Sequence, residues 1–220
     1  MLCFDIGSNR GDFTKVALEQ GYQVIALEPS RIYTELVKNF IYSKNAILLK
    51  YAASDKDYEQ VEFYECVEDG LSTLNLDWLT SEKMPYNGKS FHTVHATTIT
   101  MDTLAKKYGE PDLIKVDVEG SEWSVFRGMT KKYGELTFEW TLETLDEHEK
   151  QLQYLMNLGY KQCAPQFIEN HLSKPEKYYP INDFSFSQWI EDNKEQWTND
   201  GWKVSGLRPT ADVGMIWLKG

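Results

Sequence analysis

The chain has 220 residues and a formal net charge of −11, since 23 lysines and arginines stand against 34 aspartates and glutamates. This length predicts one domain spanning residues 1–220, and hydrophobic and charged fractions of 41% and 26% exclude disordered and fibrous classes. The acidic balance argues against nucleic acid as a partner, because such binding needs a basic face, and no apolar run has the ~20 residues of a membrane span.

The first part of the chain alternates strand and helix patterns. Apolar runs predict strands at Leu2–Ile6, Gln23–Leu27 and 46–52, and helical periodicity predicts helices at 13–20 and 30–42 between them. Ser30 is the predicted N-cap of the second helix. Strands that alternate with helices at this spacing are typical of βαβ units, so the expected fold is α/β with a parallel sheet.

The rest of the chain continues this pattern with less regular spacing. Residues 69–89 carry turn formers and are predicted to be a loop. Residues 165–211, between the last two predicted strands, are too long for an ordinary connection and are predicted to be an aromatic-rich insertion. The remaining strands are predicted at 61–66, Phe91–Ile99, 112–118, 134–140, 160–164 and 212–219, and the remaining helices at Met101–Tyr108 and Leu145–Leu158.

A glycine-containing segment, DIGSNRG at residues 5–11, follows the first strand and precedes the first helix, where doubly wound sheets bind nucleotide cofactors. Asn9 replaces the middle glycine of the dinucleotide fingerprint and Asp5 would repel a pyrophosphate, which disfavours a nicotinamide-dependent oxidoreductase. S-adenosylmethionine carries an ammonium and a sulfonium and no phosphate, so it is the predicted cofactor. Glu28, at the end of the second strand, is expected to bind its ribose hydroxyls. The alternative is a structural corner with incidental acids.

Four motifs resemble the FkbM family of S-adenosylmethionine-dependent methyltransferases. They are DIGSNRGDFT at residues 5–14, ALEPS at 26–30, AASD at 52–55 and LIKVDVEGSE at 113–122; the last, followed by VFRG at 125–128, is the most specific. The resemblance implies a Rossmann-like class I methyltransferase fold. Its seven-stranded, mostly parallel sheet has the order 3-2-1-4-5-7-6, an antiparallel last strand and helices on both faces. It also implies methyl transfer to oxygen, often on a sugar or natural-product hydroxyl.

The same motifs predict which residues bind the cofactor. The predicted residues lie at or near the carboxyl ends of the main strands and in the glycine segment: Asp5, Gly7, Ser8, Asn9, Gly11, Thr14, Glu28, Pro29, Ala53, Ser54 and Asp117. A module that binds S-adenosylmethionine without catalysis is an alternative that the sequence leaves open.

Three acids are predicted to act in catalysis. Asp117 lies at the carboxyl end of the predicted strand 112–118, Glu119 in the turn that follows it, and Glu139 at the end of the next strand. Acids that converge there would favour a cationic donor over its neutral product, and one would serve as general base for a hydroxyl. Asp117 and Glu139 are also the predicted ligands if a divalent metal takes part. For Glu119 and Glu122, capping of the following helix is the alternative.

The histidines are weaker candidates for the base. His92 and His95 flank a predicted strand and are expected to be either a base near the donor or surface residues. His148 lies in a helix rich in charged residues and is expected to be solvated.

The insertion at 165–211 leaves the sheet edge where donor and acceptor are expected to meet. Because aromatic faces stack on sugars, one or two of Trp189, Trp197 and Trp202 are expected to contact the acceptor. The alternative is that Phe186, Trp189 and Ile190 form the packed face of a helix. The predicted function is O-methylation of a sugar or glycan hydroxyl, for example on a deoxyhexose such as rhamnose. A non-sugar small molecule is the alternative acceptor.

Met1 directly precedes the first predicted strand, where the resembled family normally has helical segments. The chain is therefore expected to be a domain of a longer protein, and a glycosyltransferase joined to a methyltransferase in a large DNA virus would fit. Cys3, Cys66 and Cys163 are scattered without a CxxC pair and predict neither a disulfide framework nor a zinc site. The expected location is the cytoplasm, or the host cytoplasm for a viral protein.

Overall fold

The computed structural model describes residues 1–84, 86–167, 174–193 and 213–220. The chain divides into two compact units, Met1–Gly134 and Glu135–Gly220. Within the described ranges, no helix combines the length and the apolar composition needed to cross a membrane.

The first unit alternates strands and helices, as predicted. Its elements in chain order are β1 (Leu2–Ile6), α1 (Asp12–Glu19), β2 (Gln23–Leu27), α2 (Tyr33–Phe40), β3 (Ala46–Leu49), β4 (Ala52–Ala53), β5 (Gln60–Cys66), α3 (Leu76–Thr80), β6 (Phe91–Ile99), α4 (Met101–Tyr108), β7 (Leu113–Val116) and α5 (Glu122–Arg127).

Four of these strands are hydrogen-bonded in parallel in the order β7-β1-β2-β3, which confirms the first part of the predicted order. Ile6, Leu27 and Val116, the last residues of β1, β2 and β7, lie side by side in the register. All three strands are almost entirely buried, which is why they read as continuous apolar runs. Residues that follow these strands therefore meet at one sheet edge.

Gly11 is required where α1 begins. It has a φ of 91°, and a Cβ placed there would lie 2.2 Å from the Phe40 ring and 2.8 Å from a methyl of Leu36. Only glycine lets the start of α1 approach α2 this closely.

Three local predictions for the first unit are wrong. The segment predicted as a loop at 69–89 contains α3, whose N-cap Asn75 accepts a hydrogen bond from the Asp77 N–H. The predicted strand 46–52 is split, because β4 pairs with β6 in a separate three-stranded sheet, β4-β6-β5. Ser30 does not cap α2, which begins three residues later; its Oγ instead accepts from the Ile32 N–H in a local turn.

The second unit is antiparallel. Its order, β10-β9-β11-β8, confirms the predicted 5-7-6 arrangement with an antiparallel last strand, and β10 adds one strand to the seven predicted. Residues 186–193 are helical. The other elements are β8 (Glu135–Thr141), a 3₁₀ turn (Leu142–Thr144), α6 (Leu145–Leu158), β9 (Gln162–Phe167), β10 (Tyr179–Pro180), a 3₁₀ turn (Ile181–Asp183) and β11 (Val213–Lys219).

His148 is buried in the second unit, so its predicted solvation is wrong. Its Nε2 accepts a hydrogen bond from the Thr141 N–H at 3.0 Å, and its Nδ1 lies 2.9 Å from Gln151 Oε1. Burial lowers the pKa of His148 to about 4. The ring is therefore neutral near pH 7 and holds the start of α6 against the end of β8.

An aromatic cluster fills the second unit. The Trp189 ring stacks on Phe167 at a centroid distance of 4.4 Å and meets Trp140 edge-on at 6.1 Å. Phe186 is fully buried beside Trp140 at 5.9 Å. Phe186 and Trp189 therefore pack against other aromatic rings, as the alternative prediction of a packed helix face expected.

Candidate active site

The glycine loop after β1 is fastened to the ends of both neighbouring strands. The N–H groups of Gly7 and Ser8 donate to the Leu27 carbonyl oxygen at 3.0 and 2.9 Å, and the Asp117 N–H donates to the Ile6 carbonyl oxygen at 3.0 Å. Gly7 has a φ of 74°, and a Cβ there would lie 1.8 Å from the Asp117 carbonyl oxygen. Glycine is therefore obligatory at this position.

Glu28 joins the glycine loop to the segment that follows β2. Its side chain is only 7% exposed, and its two oxygens accept hydrogen bonds from the N–H groups of Asn9 and Ser30, both at 2.9 Å. Burial raises the pKa of Glu28, and these hydrogen bonds oppose that rise. A carboxylate has about four acceptor sites, so the group can accept a further donor such as a ribose hydroxyl.

Asp5 and Thr14 lie beneath the loop and have no exposed surface. The Thr14 hydroxyl donates to Asp5 Oδ2 at 2.5 Å, and Asp5 Oδ1 lies 3.7 Å from the Lys115 ammonium. The register places Asp5 directly beside Lys115 on the adjacent strand. The Asp5 carboxylate thus belongs to an internal charge network.

Lys115 is the centre of that network, and sequence reasoning gave it no role. Its ammonium donates to the Gly7 carbonyl oxygen at 2.9 Å and lies 3.1 Å from Asp117 Oδ2. Its side chain is 4% exposed. A lysine inside the otherwise apolar LIKV strand was the available signal, because a buried cation requires anionic partners.

The turn after β7 carries Asp117 and Glu119, both half-buried. Glu119 adopts a φ of 55°, a left-handed conformation uncommon for a residue with a side chain. The Trp78 indole N–H donates to Glu119 Oε2 at 3.1 Å. Burial, reinforced by the charges of Asp117 and Glu122, holds the pKa of Glu119 well above its usual range. Such a carboxyl is a stronger base than a solvated one.

Glu122 closes the same turn. It is 3% exposed, and its Oε1 accepts a hydrogen bond from the Val118 N–H at 3.1 Å. Burial raises its pKa to about 7. Glu122 is the first residue of α5, so it holds the turn at the helix start.

The remaining predicted cofactor residues are near these groups in sequence or in space. Pro29 is half-buried directly after Glu28. Ala53 ends β4, and the next residue, Ser54, has its Oγ 3.0 Å from Ser124 Oγ on α5. A Cβ at Gly128 would lie 2.3 Å from the Ser54 carbonyl oxygen, which joins the AASD and VFRG motifs.

The other described candidates belong to β6 or to the second unit. His92 and His95 are exposed on β6, opposite Glu65 and Glu62 of β5. Glu139 is on β8 in the second unit, in register with Met215 of β11. Trp189 belongs to the aromatic cluster of the second unit, and Trp197, Trp202 and His171 lie outside the described residues.

Solved structures with a related outline include methyltransferases, all at low identity. An S-adenosylmethionine-dependent methyltransferase from Mesorhizobium loti has a TM-score of 0.45 and 9% identity, over 99% of this chain and 90% of that one. One from Archaeoglobus fulgidus has 0.43 and 13%, over 100% and 86%. A precorrin-8W decarboxylase from Methanobacterium thermoautotrophicum has 0.45 and 11%, over 100% and 81%.

The family match is made in sequence. No curated protein matches the chain. Residues 5–162 match the sequence model of the methyltransferase FkbM domain. This range includes every motif quoted above. The chain therefore belongs to the FkbM family of S-adenosylmethionine-dependent methyltransferases.

Proposed function

We propose that this protein transfers the methyl group of S-adenosylmethionine to a hydroxyl oxygen of a sugar or glycan. The observation that carries the proposal is the Glu119 carboxyl, which lies in the turn at the carboxyl end of β7 beside Asp117 and has one oxygen held by the Trp78 N–H. Methyl transfer to a hydroxyl needs a group that removes one proton, and a carboxylate with a raised pKa suits that task.

The residues around the glycine loop fit the proposed cofactor. Glu28 would accept the two ribose hydroxyls on the lone pairs that Asn9 and Ser30 leave available. Asp117 would attract the cationic part of the donor, and Gly7 leaves room where a side chain would collide with the Asp117 backbone. When bound, S-adenosylmethionine supplies an electrophilic methyl group.

Glu119 would remove the proton of the acceptor. Its Oε2 already accepts the Trp78 N–H, so Oε1 is the atom that would take the proton from the hydroxyl. The Glu119 carboxyl must be ionised before it can accept this proton. Its raised pKa makes the ionised form a stronger base. The chain's other contribution is to position the reacting oxygen.

A neutral polyol suits the acid-rich turn better than an anionic acceptor. Asp117, Glu119 and Glu122 follow one another closely there, and their charges would repel a phosphate or a carboxylate, whereas hydroxyl groups donate hydrogen bonds to carboxylates. A glycosyltransferase is the class of enzyme that would supply a glycan acceptor. Trp197 and Trp202 remain the proposed stacking residues.

The residues of the first unit do not favour a divalent metal. The Lys115 ammonium lies 3.1 Å from Asp117 Oδ2, and its positive charge would repel a divalent ion more strongly than a singly charged group of the donor. The proposal therefore contains no metal-dependent step, and activity is expected to persist when a chelator is added.

Binding of the product S-adenosylhomocysteine tests the cofactor site. We expect calorimetry to detect binding to the wild type, and Glu28→Gln to weaken it about tenfold or more, since charged hydrogen bonds contribute roughly 1.5–3 kcal/mol. Glu62→Gln, on the exposed side of β5, is the matched control. Equal affinity in wild type and Glu28→Gln would remove Glu28 from the site.

Transfer of a labelled methyl group tests the acceptor. We expect labelled, base-stable ether products with one or more members of a panel of hexose and deoxyhexose glycans. Panels of lipids, peptides and phenolic alcohols run in parallel. Turnover confined to these would overturn the sugar acceptor, and cofactor binding without turnover of any panel would favour a non-catalytic module.

A further inference from the structure

The segment between β5 and β6 is bound by side-chain hydrogen bonds to residues 119–121, in the turn after β7. Thr73 Oγ1 donates to the Glu119 carbonyl oxygen at 2.6 Å and lies 3.0 Å from Ser121 Oγ. Asn75 Nδ2 donates to the Gly120 carbonyl oxygen at 3.0 Å. The segment therefore contacts three successive residues of the turn, Glu119 to Ser121.

Trp78 makes the contact that reaches the Glu119 carboxyl itself. It lies on α3, is 2% exposed, and packs in a small core with Cys66 and Leu79. Its indole N–H donates to Glu119 Oε2 at 3.1 Å. Its ring lies so close to Gly120 that a Cβ there would be 2.5 Å from Trp78 Cε3. The ring is thus held from one side while its N–H points at the carboxylate.

The conformation of Glu119 depends on contacts from neighbouring residues. Its left-handed backbone, with a φ of 55°, is rare for a residue with a side chain and persists only where neighbours enforce it. The Thr73 bond holds the Glu119 carbonyl, and the Trp78 bond holds its side chain. Backbone and carboxyl are therefore fixed by one segment.

We propose that Trp78 is a positioning residue that orients the Glu119 carboxylate toward the acceptor hydroxyl through its indole N–H. This inference rests on the proposed function, in which Glu119 takes the proton. With Oε2 held by Trp78, Oε1 is the oxygen that would accept the proton of the acceptor hydroxyl. The N–H also stabilises the ionised carboxylate that the reaction requires.

A double-mutant cycle between Trp78 and Glu119 tests the inference. Trp78→Phe keeps a ring against Gly120 and removes the N–H. We expect it to lower kcat about tenfold to a hundredfold, the effect of one hydrogen bond to a charged group, and to change S-adenosylhomocysteine affinity less than about twofold. In the Glu119→Gln background it is expected to cause no further loss of kcat. Trp123→Phe, at an exposed position of α5, is the matched control and should leave kcat unchanged.

The outcomes separate this inference from the proposed function. An unchanged kcat in Trp78→Phe, or an equal further loss in the Glu119→Gln background, would show that Trp78 only packs and would overturn its positioning role. Full activity of Glu119→Gln alone would instead overturn the base. Should Trp78→Phe unfold, benzothienylalanine at position 78, which replaces the N–H with sulfur in a ring of the same shape, is expected to show the same loss.

Discussion

Replacing Glu119 with glutamine is expected to lower kcat by about 10²- to 10⁴-fold, the usual contribution of a general base. Glutamine has nearly the same shape and can still accept the Trp78 N–H at its amide oxygen, so the turn should stay intact. Affinity for S-adenosylhomocysteine is expected to change less than about twofold, because the proposed role of Glu119 concerns the acceptor. Steady-state kinetics and calorimetry measure the two effects.

The pH dependence of wild-type kcat/KM tests the role of Glu119 in a second, independent way. Burial and the charges of Asp117 and Glu122 raise the pKa of Glu119. Below this raised pKa the carboxyl is protonated and cannot accept a proton, so kcat/KM is expected to rise with pH through a midpoint above the usual carboxyl range. Glu119→Gln should lack this rise.

Suitable controls decide how these results are interpreted. Glu110→Gln changes an exposed residue that pairs with Lys131, and it should retain wild-type kcat and pH dependence. Wild-type activity in Glu119→Gln would contradict the assignment of Glu119 as base. A residual base elsewhere would then be sought at Asp117.

Lys115→Met is expected to have the largest effect on stability. It removes the cation that lies between Asp5 and Asp117 and releases the Gly7 carbonyl. Because Asp5 has no exposed surface, its charge would lose its cationic partner inside the protein, and breaking such a buried pair costs roughly 3–5 kcal/mol in the free energy of unfolding. Urea unfolding measures this loss.

Removing the charge of Asp5 as well should restore part of the lost stability. Lys115→Met combined with Asp5→Asn is expected to be more stable than Lys115→Met alone, because the asparagine carries no charge and can still accept the Thr14 hydroxyl. Lys131→Met, on the surface, should change stability little. A Lys115→Met variant as stable as Lys131→Met would contradict the network described for Lys115.

Element boundaries were predictable where apolar pattern and end signals coincide. The predicted ranges of β1, β2, β6, α4 and α6 match the structure at both ends, because each is an apolar run, an alternating pattern or a helical periodicity that stops at a polar or glycine residue. The helix α3 has five residues, too few for a periodicity to appear. It forms because Trp78 and Leu79 are buried, which depends on partners distant in sequence.

The positions of several predicted site residues could also be inferred from the order of elements along the chain. The motifs placed Gly7, Glu28 and Asp117 after β1, β2 and β7, and the parallel register brings the ends of these strands side by side. Local order along the chain is enough for such a prediction, because parallel strands with helical crossovers always present their carboxyl ends at one edge.

The family, the α/β alternation and the strand ends that carry the candidate site could all be inferred from the amino-acid sequence. The partners of those residues are visible only in the folded chain. Lys115 contacts Asp5 and Gly7, more than a hundred positions away, and Trp78 binds Glu119, 41 positions away. Both follow from burial, since a charge or an indole N–H removed from water must find its partner wherever the fold places one.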